Sequence, residues 1–166
     1  MFYSDVFEAL NREKVRYLVV GGVAVVLHSV MRLTADLDLM VDLETNNLKH
    51  FIKILTELGY QPKLPVKAID FADPAIRKQW IEGKNMKVFN FIHSGHDYKE
   101  IDVFADEPIP FAEAYNRKKV VKADALPINV ISMDGLIALK KLSAREQDLQ
   151  DIKMLEELRD KHANKE

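Results

Sequence analysis

The sequence predicts an α+β fold, a mixed β-sheet flanked by helices with a carboxy-terminal helical segment. Short apolar runs suited to strands are interleaved with runs of helical period, and no repeat or flexible linker divides the chain. The 166 residues, 48% hydrophobic and 30% charged, can bury a core without disulfides or a structural metal. Residues 1–166 are therefore read as one domain, with a helical extension over about 133–166.

Ser4 is a candidate cap for a first helix in which Val6, Phe7 and Leu10 share a face, ending in the polar turn Asn11 to Lys14. Tyr17 to Val20 reads as a buried strand that runs into Gly21-Gly22 and a compact helix, Val23 to His28. After the polar link Arg32 to Ala35, Asp36 to Val41 alternates before turning apolar, so that Asp36 and Asp38 share one face of a strand. Leu48, Phe51, Ile52, Leu55 and Leu58 fix a helix over Asn47 to Leu58, with Gly59 as its stop.

Pro62 and Pro65 mark a loop or sheet edge, and Asp73-Pro74 is the cap and first position of a helix reaching about Glu82. Lys87 to His93 and Glu100 to Phe104 predict an antiparallel hairpin turning at Ser94-Gly95-His96-Asp97. Beyond a short Phe111 to Asn116 segment come strands at Val120-Val121 and Ile128 to Ile131. Helix then runs from Met133 to Lys161, broken near Ser143.

With no cysteine, any bound metal must be held by oxygen or imidazole. The apolar stretch Tyr17 to Val30 is too short and too interrupted to span a bilayer, so no membrane partner is expected. The amino terminus lacks a basic-then-apolar leader, which predicts a cytoplasmic location. A net charge of −2 argues against a strong non-specific grip on nucleic acid, and the basic run Arg117, Lys118, Lys119 and Lys122 reads first as a solvated face. His93 and His96 flank a turn without a third ligand and are read as structural; His28 is read as a packed helix residue.

Acidic pairs separated by one residue are expected about four times by chance. Four occur: Asp36/Asp38, Asp42/Glu44, Glu100/Asp102 and Glu146/Asp148. Only Asp36/Asp38 lies on an alternating apolar strand just after a strand–Gly–Gly–helix unit. Residues two apart on a strand stand roughly 6.5 Å apart on one face, and two such carboxylates repel unless neutralised. Magnesium is a natural neutraliser, because it prefers carboxylate and phosphate oxygens. Gly21-Gly22 would let backbone approach a phosphate, with Ser29, Thr34 and Arg32 as further polar groups.

Three blocks resemble the nucleotidyltransferase superfold, in particular abortive-infection-type nucleotidyltransferase toxins and related bacterial proteins. The first is Val20-Gly21-Gly22-Val23-Ala24 with Arg32-Leu33-Thr34-Ala35-Asp36-Leu37-Asp38-Leu39, similar to the family's Gly-Gly, Arg-x-Thr and Asp-x-Asp signature. The second is Glu100 to Phe104, where Asp102 matches a third carboxylate on a neighbouring strand. The third is Asp134 to Lys140 with Ala144 to Asp151, similar to the helical Leu-Ile-x-x-Lys and Arg-x-x-Asp-x-x-Asp ending. One departure is the turn before Arg32, where many relatives have His-Gly and this chain has His28-Ser29.

The resemblance implies attack of an acceptor on the α-phosphorus of a nucleoside triphosphate, with pyrophosphate leaving. It implies Mg2+ or Mn2+ on Asp36, Asp38 and Asp102, with Asp102 alternatively accepting the nucleophile's proton. Gly21, Gly22, Arg32, Thr34 and Lys140 would bind the nucleotide. The implied acceptor is RNA, in a toxin with a cognate antitoxin protein. Alternatives are a partner protein, a small-molecule hydroxyl, or a silent nucleotide-binding module that has kept the fold. Lys140, Arg145, Asp148 and Asp151 read equally well as helix-surface ion pairs.

Overall fold

The computed structural model describes residues 2–165 and is built on a seven-stranded mixed sheet. Its strands are β1 (Tyr17–Val20), β2 (Leu37–Val41), β3 (Tyr60–Pro62), β4 (Val88–His93), β5 (His96–Phe104), β6 (Lys119–Ala123) and β7 (Leu126–Val130). Their spatial order is β3-β4-β5-β2-β1-β7-β6. The β1/β2, β3/β4, β4/β5 and β6/β7 pairs are antiparallel, whereas β2/β5 and β1/β7 are parallel. The helices are α1 (Ser4–Arg12), α2 (Gly21–Leu27), α3 (Thr45–Glu57), α4 (Pro74–Lys84), α5 (Phe111–Asn116), α6 (Met133–Ser143) and α7 (Glu146–Ala163).

The central strands are the most buried because they are covered on both faces. All four residues of β1 are buried, and in β2 only Asp38 breaks the pattern. Helix α3 sinks Leu48, Phe51, Ile52, Ile54 and Leu55 into the core, and it ends before Gly59, whose φ of +89° suits a residue without a side chain. Under β4 an aromatic group closes the core: Phe89 stacks on Phe71 at 4.6 Å and on Trp80 at 5.4 Å.

Several local expectations change. Ser4 lies inside α1, where Tyr3 occupies the cap position without a side-chain bond. Helix α2 begins at Gly21 itself, two residues early. Helix α3 also starts early, because Glu44 accepts hydrogen bonds from the Asn46 and Asn47 amides and so caps it. Strand β2 begins at Leu37, which leaves Asp36 in the bend before it. The hairpin turn is tighter than its composition suggested, since β5 already starts at His96. Of the loop or sheet edge marked by Pro62 and Pro65, the edge is found, as the short strand β3 ending at Pro62, whereas a 3-10 turn at Ala68–Ala72 was not anticipated. Asp73 caps α4 as expected, accepting from the Ala75 and Ile76 amides. The break in the last helix falls at Ala144, whose φ of 46° turns the chain.

Candidate active site

Strand polarity assembles the site. Because β1 and β2 run antiparallel, Val20 pairs with Asp38, and Gly21 therefore emerges beside the start of β2. Because β2 and β5 run parallel, Asp38 stands directly opposite Asp102. One end of three central strands thus brings together Gly21, Asp38 and Asp102, which lie far apart in sequence. Asp36 sits exposed at the mouth, one residue outside β2.

Gly21 fits there for two reasons. Its φ is +63°, and a Cβ at this position would fall 2.1 Å from Asp38 Oδ2, so the Asp38 carboxylate lies against bare backbone. Gly22 does the same for the loop before β2: a Cβ would lie 2.6 Å from Thr34 Oγ1 and 3.0 Å from an Arg32 Nη. The glycine pair and the Arg32, Thr34, Asp36 and Asp38 segment are therefore packed on one another.

Burial, then the neighbouring carboxylates Asp102 and Asp36, push the Asp38 carboxyl up to about 6, against the opposing charges of Arg145 and Lys140. Burial also raises Asp102, with Glu100 and Asp36 adding to it, although the Asn90 side chain donates a hydrogen bond to its Oδ1. Asn90 faces Asp102 across the β4/β5 ladder and was missed in the sequence, where its only signal is a polar residue between Phe89 and Phe91. Tyr3 was missed too; its hydroxyl lies 2.9 Å from the Ala35 carbonyl and 3.0 Å from the Glu100 carbonyl, its single proton shared between the two acceptors, tying α1 to the segments that carry Asp36 and Asp102.

Among the described residues, no three His, Asp or Glu side chains already stand in a metal-ligating group. An apolar groove of about 380 Å³, lined by Phe2, Tyr3, Val23, Val26, Leu27, Thr34 and Ala35, opens beside the carboxylates and not over them.

Residues 4–161 match the family described as nucleotidyltransferase of unknown function, DUF6036. The chain belongs to this nucleotidyltransferase family. A search of curated proteins finds no match. Among solved structures, the chain is similar to the lincosamide antibiotic adenylyltransferase LnuA bound to lincomycin, at TM-score 0.61 and 18% identity, over 92% of this chain and 93% of that one. It is also similar to ANT(2")-Ia in complex with adenylyl-2"-tobramycin, at TM-score 0.58 and 14% identity, over 97% and 94% of the two chains. A third likeness is to a Thermotoga maritima nucleotidyltransferase, TM1012, at TM-score 0.54 and 17% identity, over 92% and 89%. These likenesses establish a shared nucleotidyltransferase fold.

The remaining expected site residues of this nucleotidyltransferase fall in a buried charge network. Asp151, with no exposed side-chain surface, accepts from Arg32 and from Lys140, both at 2.7 Å through Oδ2. Lys140 is only 5% exposed and reaches Asp148 as well, at 3.4 Å. Burial works to raise the Asp148 carboxyl, but hydrogen bonds from Arg145, Ser143 and the Arg145 amide hold it well below the ordinary carboxylate range. The network fastens the α6–α7 corner to the loop that carries Arg32, and so joins the first and third sequence blocks. His28 is buried as expected, its Nε2 on the Ile131 carbonyl at 2.8 Å, and burial lowers its pKa. No helix of the described residues is long and apolar enough to cross a membrane.

Proposed function

We propose that this nucleotidyltransferase moves a nucleoside monophosphate from a nucleoside triphosphate to an acceptor hydroxyl, using a divalent cation held by Asp36, Asp38 and Asp102. The observation that carries the proposal is the register pairing of Asp38 with Asp102, with Gly21 laid against the Asp38 carboxylate. Carboxyls crowded so that Asp102 and Asp36 make Asp38 harder to ionise, and Asp36 does the same to Asp102, form a set of hard oxygen donors suited to Mg2+ or Mn2+. Phosphate oxygens of the substrate would supply the donors that the side chains lack. When bound, the metal would withdraw charge from the α-phosphate and the leaving pyrophosphate.

The protein's own residues have separate tasks. Gly21 lets the Asp38 carboxylate, and Gly22 lets Thr34 and Arg32, close onto the start of α2, and together these residues would line the path of the triphosphate. Asp102, steadied by Asn90, would complete the metal's shell or alternatively take the proton from the attacking hydroxyl. Lys140 is in ion pairs and would act on the nucleotide through the Asp151 and Arg32 that surround it. A cytoplasmic location would give this site its triphosphate.

A small-molecule hydroxyl is the acceptor class supported by two structural neighbours, one bound to lincomycin and one in complex with adenylyl-2"-tobramycin, and by the net charge of −2. RNA, as for a toxin held by an antitoxin protein, is a second reading. It is favoured by exposed rings beside Asp102, with Tyr98 and His96 on its strand 5.4 Å apart and Phe2, ahead of α1, 5.7 Å from Tyr98. The test is transfer of each α-labelled triphosphate, with Mg2+, onto total RNA, cell protein and a panel of hydroxyl-bearing small molecules. Metal-dependent labelling of one fraction names the acceptor; labelling that persists when Asp36 and Asp38 are both replaced by alanine refutes the site.

A further inference from the structure

Three cations gather behind the carboxylates, and two of them are already committed. Lys140 is buried between Asp148 and Asp151, and an Nη of Arg32 is bonded to Asp151. Arg145 is different, with a side chain that is 78% exposed. Its Nε donates to Asp148 Oδ2 at 2.9 Å and its backbone amide donates to the same oxygen at 3.1 Å. Neither Nη of Arg145 has an acceptor among the described residues.

The post that holds it is rigid. The Asp148 side chain is 3% exposed and takes a further hydrogen bond from Ser143 Oγ at 2.7 Å, besides its contact with Lys140. The left-handed turn at Ala144, φ 46°, sets Arg145 at the first corner of α7. From that corner, Asp148, Lys140, Asp151 and Arg32 form a continuous chain to Gly22, next to the glycine that packs on Asp38. The charge of Arg145 is felt at Asp38 ahead of that of Lys140.

We infer that Arg145 is a triphosphate-binding residue, its guanidinium aimed by Asp148 so that the two terminal amino groups take phosphate oxygens of the nucleotide. This rests on the nucleotide-transfer reading above. A planar guanidinium fixed at Nε retains a pair of parallel donors, the geometry that phosphate accepts in bidentate fashion. An arginine that served only as the helix cap would give the same ion pair but would not respond to nucleotide.

The test is calorimetric titration with a non-transferable α,β-methylene nucleoside triphosphate and Mg2+, which reads binding without an acceptor. Arg145→Ala is expected to weaken the affinity about ten- to hundred-fold, the usual effect of losing charged hydrogen bonds. Arg145→Lys should recover only part of it, since a lysine cannot bond Asp148 and still offer two donors. Arg159→Ala, which removes another cation of α7 that pairs with Asp134 at 2.9 Å, should bind as the wild type does. Wild-type affinity in Arg145→Ala, or full recovery in Arg145→Lys, overturns the inference while leaving the transfer reading in place. A wild type that binds no triphosphate overturns both.

Discussion

Replacing Asp38 by asparagine should make the protein more stable while disabling it. The Asp38 carboxyl is raised from an ordinary 3.8 to about 6, chiefly by burial and then by Asp102 and Asp36. At about 1.4 kcal/mol per pH unit, the ionised form costs the fold about 3 kcal/mol. Water reaching this half-buried group screens part of that, so a gain of about 1–3 kcal/mol is expected for Asp38→Asn above pH 7. For a chain of this length the melting temperature would rise by roughly 3–10 °C.

The sign follows from linkage. A carboxyl whose folded pKa is raised opposes folding fully above about pH 6, and the opposition fades as pH falls and the group takes up its proton. The stability difference between Asp38→Asn and wild type should therefore be largest near pH 8 and close by about pH 4. Urea unfolding of both proteins at several pH values, without metal or nucleotide, measures it. A difference that does not change with pH, or a wild type more stable at pH 8, would refute the claim that like charges are crowded at this strand end. With Mg2+ and a triphosphate, the wild type alone should gain in melting temperature.

Ser29 sits at φ 72°, where a glycine carries no Cβ penalty, so Ser29→Gly should stabilise by about 1 kcal/mol, read as a shift in urea midpoint with unchanged slope. Gly21→Ala puts a methyl on Asp38 Oδ2 and strains a positive φ; nucleotide transfer should be lost, and stability should fall by about 1–2 kcal/mol in the same assay. Asp151→Asn leaves Lys140 buried with weakened compensation and frees Arg32, so a loss of about 3–5 kcal/mol in chemical unfolding is expected. The His28 ring, held neutral by burial, should titrate in NMR spectra below the usual imidazole midpoint of about 6.5, and stability should decline as pH falls beneath that value; a midpoint at or above it would contradict the burial argument.

What could be read in the sequence follows the range of the forces involved. The α3 stripe, the Asp73-Pro74 cap and the β4/β5 hairpin depend on residues within one or two turns of each other, and each was legible. Asp38 was legible from the alternation of its strand, but its meeting with Asp102 was legible only through motif resemblance, because it depends on a parallel pairing between Leu37–Leu39 and Ile101–Val103. Asn90 and Tyr3 were not legible, since a hydrogen bond across a ladder leaves no periodic trace. The same limit applied to Asp151, whose i+3 spacing from Asp148 looked like a solvated helix face, whereas Arg32, 119 residues away, buries it. The His28-Ser29 departure had a local meaning after all: serine occupies the left-handed position where the resemblance expected glycine.

The distribution of charge bears on what this site would bind. In the α6–α7 network every anion is paired with a cation, Asp151 and Asp148 being shared among Arg32, Lys140 and Arg145. At the strand ends the carboxylates are not, since Asp38 faces Asp102 with Asp36 beside them and an amide as the hydrogen-bonding partner of Asp102. A fold that surrounds two buried aspartates with three cations could have done the same for these carboxylates. Leaving the carboxylates uncompensated costs stability, and the cost is recovered only when something positive arrives. A metal ion alone would leave its remaining positions to water; a metal ion carrying a triphosphate would bring with it the anionic groups that, on the reading proposed above, Arg145 and the glycine turn receive.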